Sequence, residues 1–426
     1  MILKVLMQSS TSVTEGQNTH AVTDLFRVGD FQFIRPSILW HNNKTYLGAD
    51  KGNESIAGFQ NDIIMLQYDH NLDLLSYIDV GSGAGENDIN NHPACWVWIE
   101  NDYIYCGQAH PHNEGTSRFK SNSTNNINSG FTELNLVTND YSYTKAFITH
   151  DNKFAFNFRF DFRGTSPPNF DNIGIVKSNT SSIEGTFSEI LICENTTIGY
   201  RYYNSCPVVY GNPTKTFFTP TMRKDGTVNY FANCVLITDD FETFVNYQGT
   251  ASKNVVSVSP FTTAEIEADY TINGSTSSDT AEVKVMNTIQ VNDVLYGTYI
   301  KEGTSDWYIF KIDGTVFTET NLSSQITEIR TDAFLNNFMY WNGSNIVLSV
   351  LTNDGSINKK ELWAINGELS VFTQKYVNDM ELAYNDPIKL PENLDQVSGY
   401  YSMWIDNQLG VTDYVILYNT NDKWLL

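Results

Sequence analysis

The chain is poor in several things that would mark common protein classes. It has five cysteines in 426 residues, Cys95, Cys106, Cys193, Cys206 and Cys234. The number is odd and no C-x-x-C pair occurs, so neither a disulfide framework nor a zinc knuckle is signalled. The thiols read instead as small buried apolar groups. Positive charge is also scarce: 26 Lys and Arg stand against 49 Asp and Glu, a formal net charge of −23. That excludes a nucleic-acid partner, because phosphate binding needs a basic footprint, while leaving room for a local basic pocket. No apolar run is long enough to span a membrane. The opening Met-Ile-Leu-Lys-Val-Leu-Met-Gln is too short for a signal h-region and lacks a small-residue cleavage site. Long helical periodicity is missing as well.

Short strands fill the chain instead. Aromatics are 13% and hydrophobics 41%, a globular composition, and with charged residues at only 18% the polar surface is made of Asn, Ser and Thr. Aromatic and β-branched runs alternate with Asn, Asp, Gly and Ser clusters. Turns are expected at His41-Asn42-Asn43, Asp69-His70-Asn71, Asp151-Asn152, Lys224-Asp225-Gly226, Asn292-Asp293, Asn342-Gly343 and Asn353-Asp354-Gly355. They divide the chain into units at residues 36–80, 92–136, 147–191, 207–244, 286–320, 334–376 and 397–424. A Ser/Thr/Asn-rich interval at 249–280 reads as a surface insertion. Seven units of roughly 40 to 50 residues have the period of propeller blades. The expected fold is therefore all-β, a single seven-bladed β-propeller domain over 1–426. Its last unit is one strand short, and residues 2–6 would complete it by pairing with 414–418.

One stretch, residues 87–118, stands out. It reads as a hairpin that rises from His92 to Ile99, turns at Glu100-Asn101-Asp102 and returns from Tyr103 to Gly107. His92 enters it, while His110 and His112 follow it, so three imidazoles are expected at one end of one sheet. His-x-His with a third histidine, but no carboxylates at clear spacing, is a weak metal set. A structural metal is left open and no cofactor is assigned.

These residues carry a resemblance. "RPSILWHNNKTYLGADKG", "NDINNHPACWVWIENDYIYCGQAHPHNEGTSRFKS" and "SYTKAFITHDNKFAFNFRF" resemble successive blades of the BNR-repeat propellers that include ulvan-lyase-type polysaccharide lyases. "ITDDFETF", residues 237–244, resembles a degenerate Asp-box. The resemblance covers about the first 250 residues; the remainder matches in rhythm. It implies a polysaccharide partner and a set of roles. A lyase acting on a uronate polymer removes a proton α to a carboxylate, which must first be neutralised. Arg159 with His110 or His112 would hold that carboxylate, while Tyr143 and a histidine at the hairpin start, His92, would do acid–base work. Asn90, Asn91, Arg159 and Tyr203 would contact the sugar. Where the family writes Asp-Asp-His-Asn-x-Pro-Ala, this sequence has Asn90 at the catalytic histidine and His92 two residues on. Two residues along a strand keep the same face but move about 6.6 Å. Two readings follow. The first is a glycan-binding or receptor-binding module, extracellular or on a virion as a spike, fibre or tail protein alongside other virion proteins. The alternative is a lyase cleaving a uronic-acid-containing glycan by β-elimination, on a virion or exported by a bacterium.

Overall fold

Asparagine sets the reading frame of the sheets. Asn42, Asn101, Asn152 and Asn292 sit in hairpin turns with left-handed backbone, at φ of 49°, 50°, 57° and 51°. Asn tolerates this region better than most residues. Four residues after each comes an aromatic residue: Tyr46, Tyr105, Phe156 and Tyr296. All four are buried. Asp102 follows Asn101 with φ also positive, and Glu100 pairs with Tyr103 around them. Two consecutive left-handed residues make the tight turn whose twist matches the flanking strands.

The computed structural model describes residues 4–6, 17–22, 32–42, 44–52, 62–68, 74–82, 95–108, 118–121, 127–134, 142–161, 171–194, 200–203, 207–219, 221–224, 229–233, 235–247, 256–257, 261–262, 273–277, 287–300, 306–314, 316–329, 338–341, 343–353, 358–378, 382–383, 401–406 and 413–419. Among them no helix is long and apolar enough to cross a membrane. The chain forms a β-propeller arrangement of small antiparallel sheets, and it divides into two compact units: Asp24–Ile192, and Met1–Thr23 with Cys193–Leu426.

In the unit Asp24–Ile192 the sheets are meanders. The first runs Gln32–His41, Lys44–Gly52, Asp62–Tyr68, Leu74–Ser82. The second runs Cys95–Glu100, Tyr103–Gln108, Arg118–Ser121, Phe131–Glu133. The third is built on Ser142–Ile148, Phe154–Asp161, Asp171–Ser178 and Phe187–Glu194. The second and third sheets bury residues of both parities, so their strands are apolar on both faces. On the second sheet Val97, Ile104 and Cys106 join Tyr46, Met65 and Val80 of the first. Tyr105, on the other parity, joins Phe154, Phe156, Val176 and Ile183 of the third. Cys106 is a free, fully buried thiol whose pKa burial pushes far up, in keeping with an inert packing role.

In the other unit the boundaries move from those expected. The repeat placed at 207–244 begins earlier, with Tyr200–Tyr203 paired to Thr221–Lys224. Val208–Tyr210 instead pairs in parallel with Asn287–Val291, where Tyr210 joins Ile289 and Tyr296 in one apolar cluster. Thr216–Phe218 and Thr221–Lys224 share one continuous register with Val235–Thr238 and Asn229–Asn233, from Thr216↔Thr238 to Lys224↔Tyr230. The interval 249–280 supplies strands Val256–Ser257, Phe261–Thr262 and Asn273–Ser277, the last completing a sheet beside Asn229–Asn233. The sheets Asn287–Val291 to Val316–Asn321 and Phe338–Trp341 to Phe372–Asn378 match the expected units closely.

The N-terminal residues do join the C-terminal sheet, but with a different partner. Gln17–Val22 pairs directly with Asp413–Asn419, and Lys4–Leu6 lies outside it, against Gln17–Val22. A ladder uses backbone groups, so the polar Gln-Asn-Thr-His segment can hold the inner place that apolar patterning had assigned to 2–6.

Candidate functional site

The two ends of the sheets in Asp24–Ile192 differ in chain length. One end has tight turns: Asn42 and its neighbour, Asn101-Asp102, and residues 149–153. At the opposite end the second and third strands of each sheet are joined by residues 53–61, 109–117 and 162–170, nine residues each. Long connections held by a rigid scaffold are where binding and catalytic residues concentrate.

Of the sequence-predicted residues, Tyr143 and Arg159 lie at that second end. Cys95 and Gln108 are register partners at the open end of the second sheet's hairpin. Asn90, Asn91, His92, His110 and His112 lie outside the described residues. In the third sheet Arg159 is paired with Ser142, and Tyr143 with Phe158, so Tyr143 and Arg159 are one register step apart at the open end of one hairpin. The register slips between Tyr143 and Lys145, a bulge at Thr144. A further slip lies between Ile34 and Ser37, towards the same end of the first sheet. Bulges bend a strand and re-aim its side chains, and they are common beside active sites. Tyr203 pairs with Thr221 and belongs to the other unit. The sequence reading passed over Arg118, which opens the second sheet's third strand opposite Gly107, one register step from the hairpin's open end. The available signal was its position as the last residue of the histidine-bearing stretch.

The turn end is held by polar contacts and looks structural. His41 Nε2 lies 3.0 Å from an Asp102 carboxylate oxygen, which also accepts from the Asn42 amide at 3.1 Å. That contact, first from His41, holds the Asp102 carboxyl below its ordinary range. Glu100 accepts the Ile183 amide at 2.8 Å, and Tyr105 donates its hydroxyl to Glu184 at 2.7 Å. Lys120 also binds Glu184 and lies over the rings of Tyr103 and Tyr105, 4.2 and 5.3 Å from their centroids. Burial, reinforced by Glu184, raises the Tyr105 pKa, so this phenol stays protonated and is no acid–base catalyst near neutrality. Among the described residues no group of three or more His, Cys, Asp and Glu could hold a metal ion.

The residues 237–244 that resemble an Asp-box include a self-capped turn. Asp240 Oδ1 accepts the amides of Glu242 and Thr243 at 2.8 and 2.7 Å, and Thr238 Oγ1 accepts that of Phe241 at 2.8 Å. Phe241 is thereby held at φ 61° with its ring buried.

No family model and no curated protein matches the sequence. Solved structures do match in shape. One is a PL25 ulvan lyase, described as a new family of polysaccharide lyase: TM-score 0.59 and 12% identity, covering 93% of this chain and 94% of that one. Another is the polysaccharide lyase Uly1, at TM-score 0.60 and 12% identity over 91% of this chain and 90% of that one. At this identity the likeness establishes the fold, a β-propeller similar to those of the ulvan lyases.

Proposed function

We propose that the chain is a single-domain, seven-bladed β-propeller of the BNR-repeat kind that recognises a polysaccharide at the long-loop end of the sheets in Asp24–Ile192. The observation that carries the reading is the placement of Tyr143 and Arg159 one register step apart beside a bulge, at the end where the loops are long. Arg159 would engage a sugar carboxylate, which guanidinium groups bind bidentately. His110 or His112 would assist it, and Asn90 and Asn91 would contact the glycan. A seven-blade count is supported, among the described residues, by the continuous register that lets the two sheets sharing the 216–238 ladder be read as one. The glycan reading stands without commitment to a virion or a host.

The second reading, β-elimination, is favoured by the retained tyrosine and arginine. Tyr143 would be one acid–base group and His92 the other. Against it stands Asn90, whose amide does not titrate near neutral pH and so cannot act as a general base. Losing an acid–base group costs about 10²- to 10⁴-fold in rate.

The test is a panel of uronate-containing and neutral polysaccharides, with binding read by calorimetry and cleavage by the ultraviolet absorbance of the unsaturated product. Binding with little cleavage is expected, with Arg159→Ala weakening acidic ligands more than neutral ones and Asn90→His raising cleavage. Absence of binding to every polysaccharide would overturn the glycan reading. Fast cleavage by the native protein, abolished by His92→Ala and untouched by Asn90→Ala, would establish the lyase with His92 as its base.

A further inference from the structure

The seam between the second and third sheets can be followed from its described middle to the long-loop end. Tyr105 and Lys120 are register partners, and Lys120 reaches Glu184 of the third sheet. This fixes which face of the second sheet meets the third. Side chains alternate along a strand, so Arg118, two residues before Lys120, holds a position on that same face. It lies about 6.6 Å closer to the open end. Its register partner, Gly107, has no side chain to occupy the space beside it. On the third sheet Phe154 and Phe156 pack with Tyr105 and so mark the facing face. Phe158 continues their parity, and its register partner is Tyr143. Arg118 and Tyr143 therefore occupy positions on the two facing faces of one seam, both at its long-loop end. Arg159 holds the opposite parity on the third sheet.

Two arginines thus flank the Tyr143 position, from different sheets. Placed that way, they suit two separate anions better than one. A chain with a net charge of −23 repels a polyanion, so a site for one needs local cations to overcome that field.

We propose that Arg118 binds a second anionic group of an acidic polysaccharide, on a sugar neighbouring the one held at Arg159, and so selects a run of charged sugars over an isolated one. The inference rests on the glycan reading above. The experiment is calorimetric titration of the full-length protein with oligogalacturonates of one to six sugars, at low and high salt. Arg118→Ala is expected to weaken hexamer binding at least tenfold, leave the monomer's weak binding unchanged, and make hexamer binding less sensitive to salt. Arg118→Lys, which keeps the charge but not the fork, should recover part of the loss, and an unchanged thermal midpoint of both variants separates binding from folding. If the native protein binds the hexamer and Arg118→Ala binds it equally well, the Arg118 subsite is wrong and the glycan reading survives. If the native protein binds no member of the series nor any other polysaccharide, the glycan reading falls and the subsite with it. Equal losses for monomer and hexamer would place Arg118 at the first anion and overturn the second-sugar assignment.

Discussion

Between the second and third sheets, Tyr105 pairs across strands with Lys120, and the next sheet presents Glu184. Between the sheet Asn287–Asn321 and the one after it, Tyr296 pairs with Lys311, and the next sheet presents Glu368. Both tyrosines stand four residues after a left-handed turn asparagine. Both acids lie in the loop between the third and fourth strands of the following sheet, beside a buried apolar residue, Ile183 or Leu369. The endings differ. Tyr105 donates to the carboxylate itself at 2.7 Å, and Lys120 lies across two rings while binding the same oxygen. Among the described residues Tyr296 donates only to the Gly367 carbonyl, at 3.4 Å, and Glu368 binds only Lys311, at 2.5 Å. The Glu368 side chain is 77% exposed and that of Glu184 47%. One repeat position therefore fixes where a ring enters a seam, and the facing loop decides whether that seam is closed by a charged network or by packing.

Removing the rings should have the largest effect. A buried aromatic truncated to alanine costs about 3–5 kcal/mol. Tyr296→Ala is expected in that range, and Tyr105→Ala at its upper end, because Lys120 and Glu184 also lose a partner. Urea midpoints of the two variants would show it. A Tyr105→Ala no worse than Tyr296→Ala would mean that the polar network adds nothing to the ring. Next come the hydroxyls alone. A hydrogen bond to a charged group contributes about 1.5–3 kcal/mol, reduced here to about 1 kcal/mol because Glu184 is half exposed to screening water. Tyr105→Phe should cost about that much. Tyr296→Phe gives up a bond at the distance limit and should stay within about 0.5 kcal/mol of the native protein. Equal costs would erase the distinction between the seams.

The spacing behind this comparison was open to a reader of the sequence. Asn-x-x-x-aromatic recurs at Asn42, Asn101, Asn152 and Asn292, and the turns and most sheet boundaries follow from the same asparagines. What each tyrosine does was not legible, since its partner comes from a loop some 70 to 80 residues away. The segments misplaced by patterning are those whose pairing is decided elsewhere. Val208–Tyr210 shares a cluster with Asn287–Val291, and Gln17–Val22 joins Asp413–Asn419 through a backbone ladder. At the candidate site, resemblance supplied Tyr143 and Arg159, and the ladder supplied their register. Arg118 was missed because only the pairing with Gly107, eleven residues earlier in the chain, brings it to the same end.

The smallest effect concerns charge, and it carries its own pH signature. The hydrogen bond from Lys120, then that from Tyr105, holds the Glu184 carboxyl below its ordinary 4.5. A carboxyl depressed by folding stabilises the native state above its unfolded value, and that contribution fades as pH falls through the lower folded one. Glu184→Gln keeps an oxygen for Tyr105 and removes only the charge. It should cost about 0.5–1 kcal/mol near neutral pH at low salt. The gap to the native protein should stay level above about pH 5.5, narrow as pH falls below 4.5, and shrink in 1 M salt. Glu368→Gln removes the acid of a pair more open to water and should fall within about 0.3 kcal/mol of the native protein. Chemical denaturation at several pH values and two salt concentrations separates the two. A gap for Glu184→Gln that ignores pH and salt would show that the Lys120 pair is geometry without energy, and the two seams would then differ only in their hydroxyls.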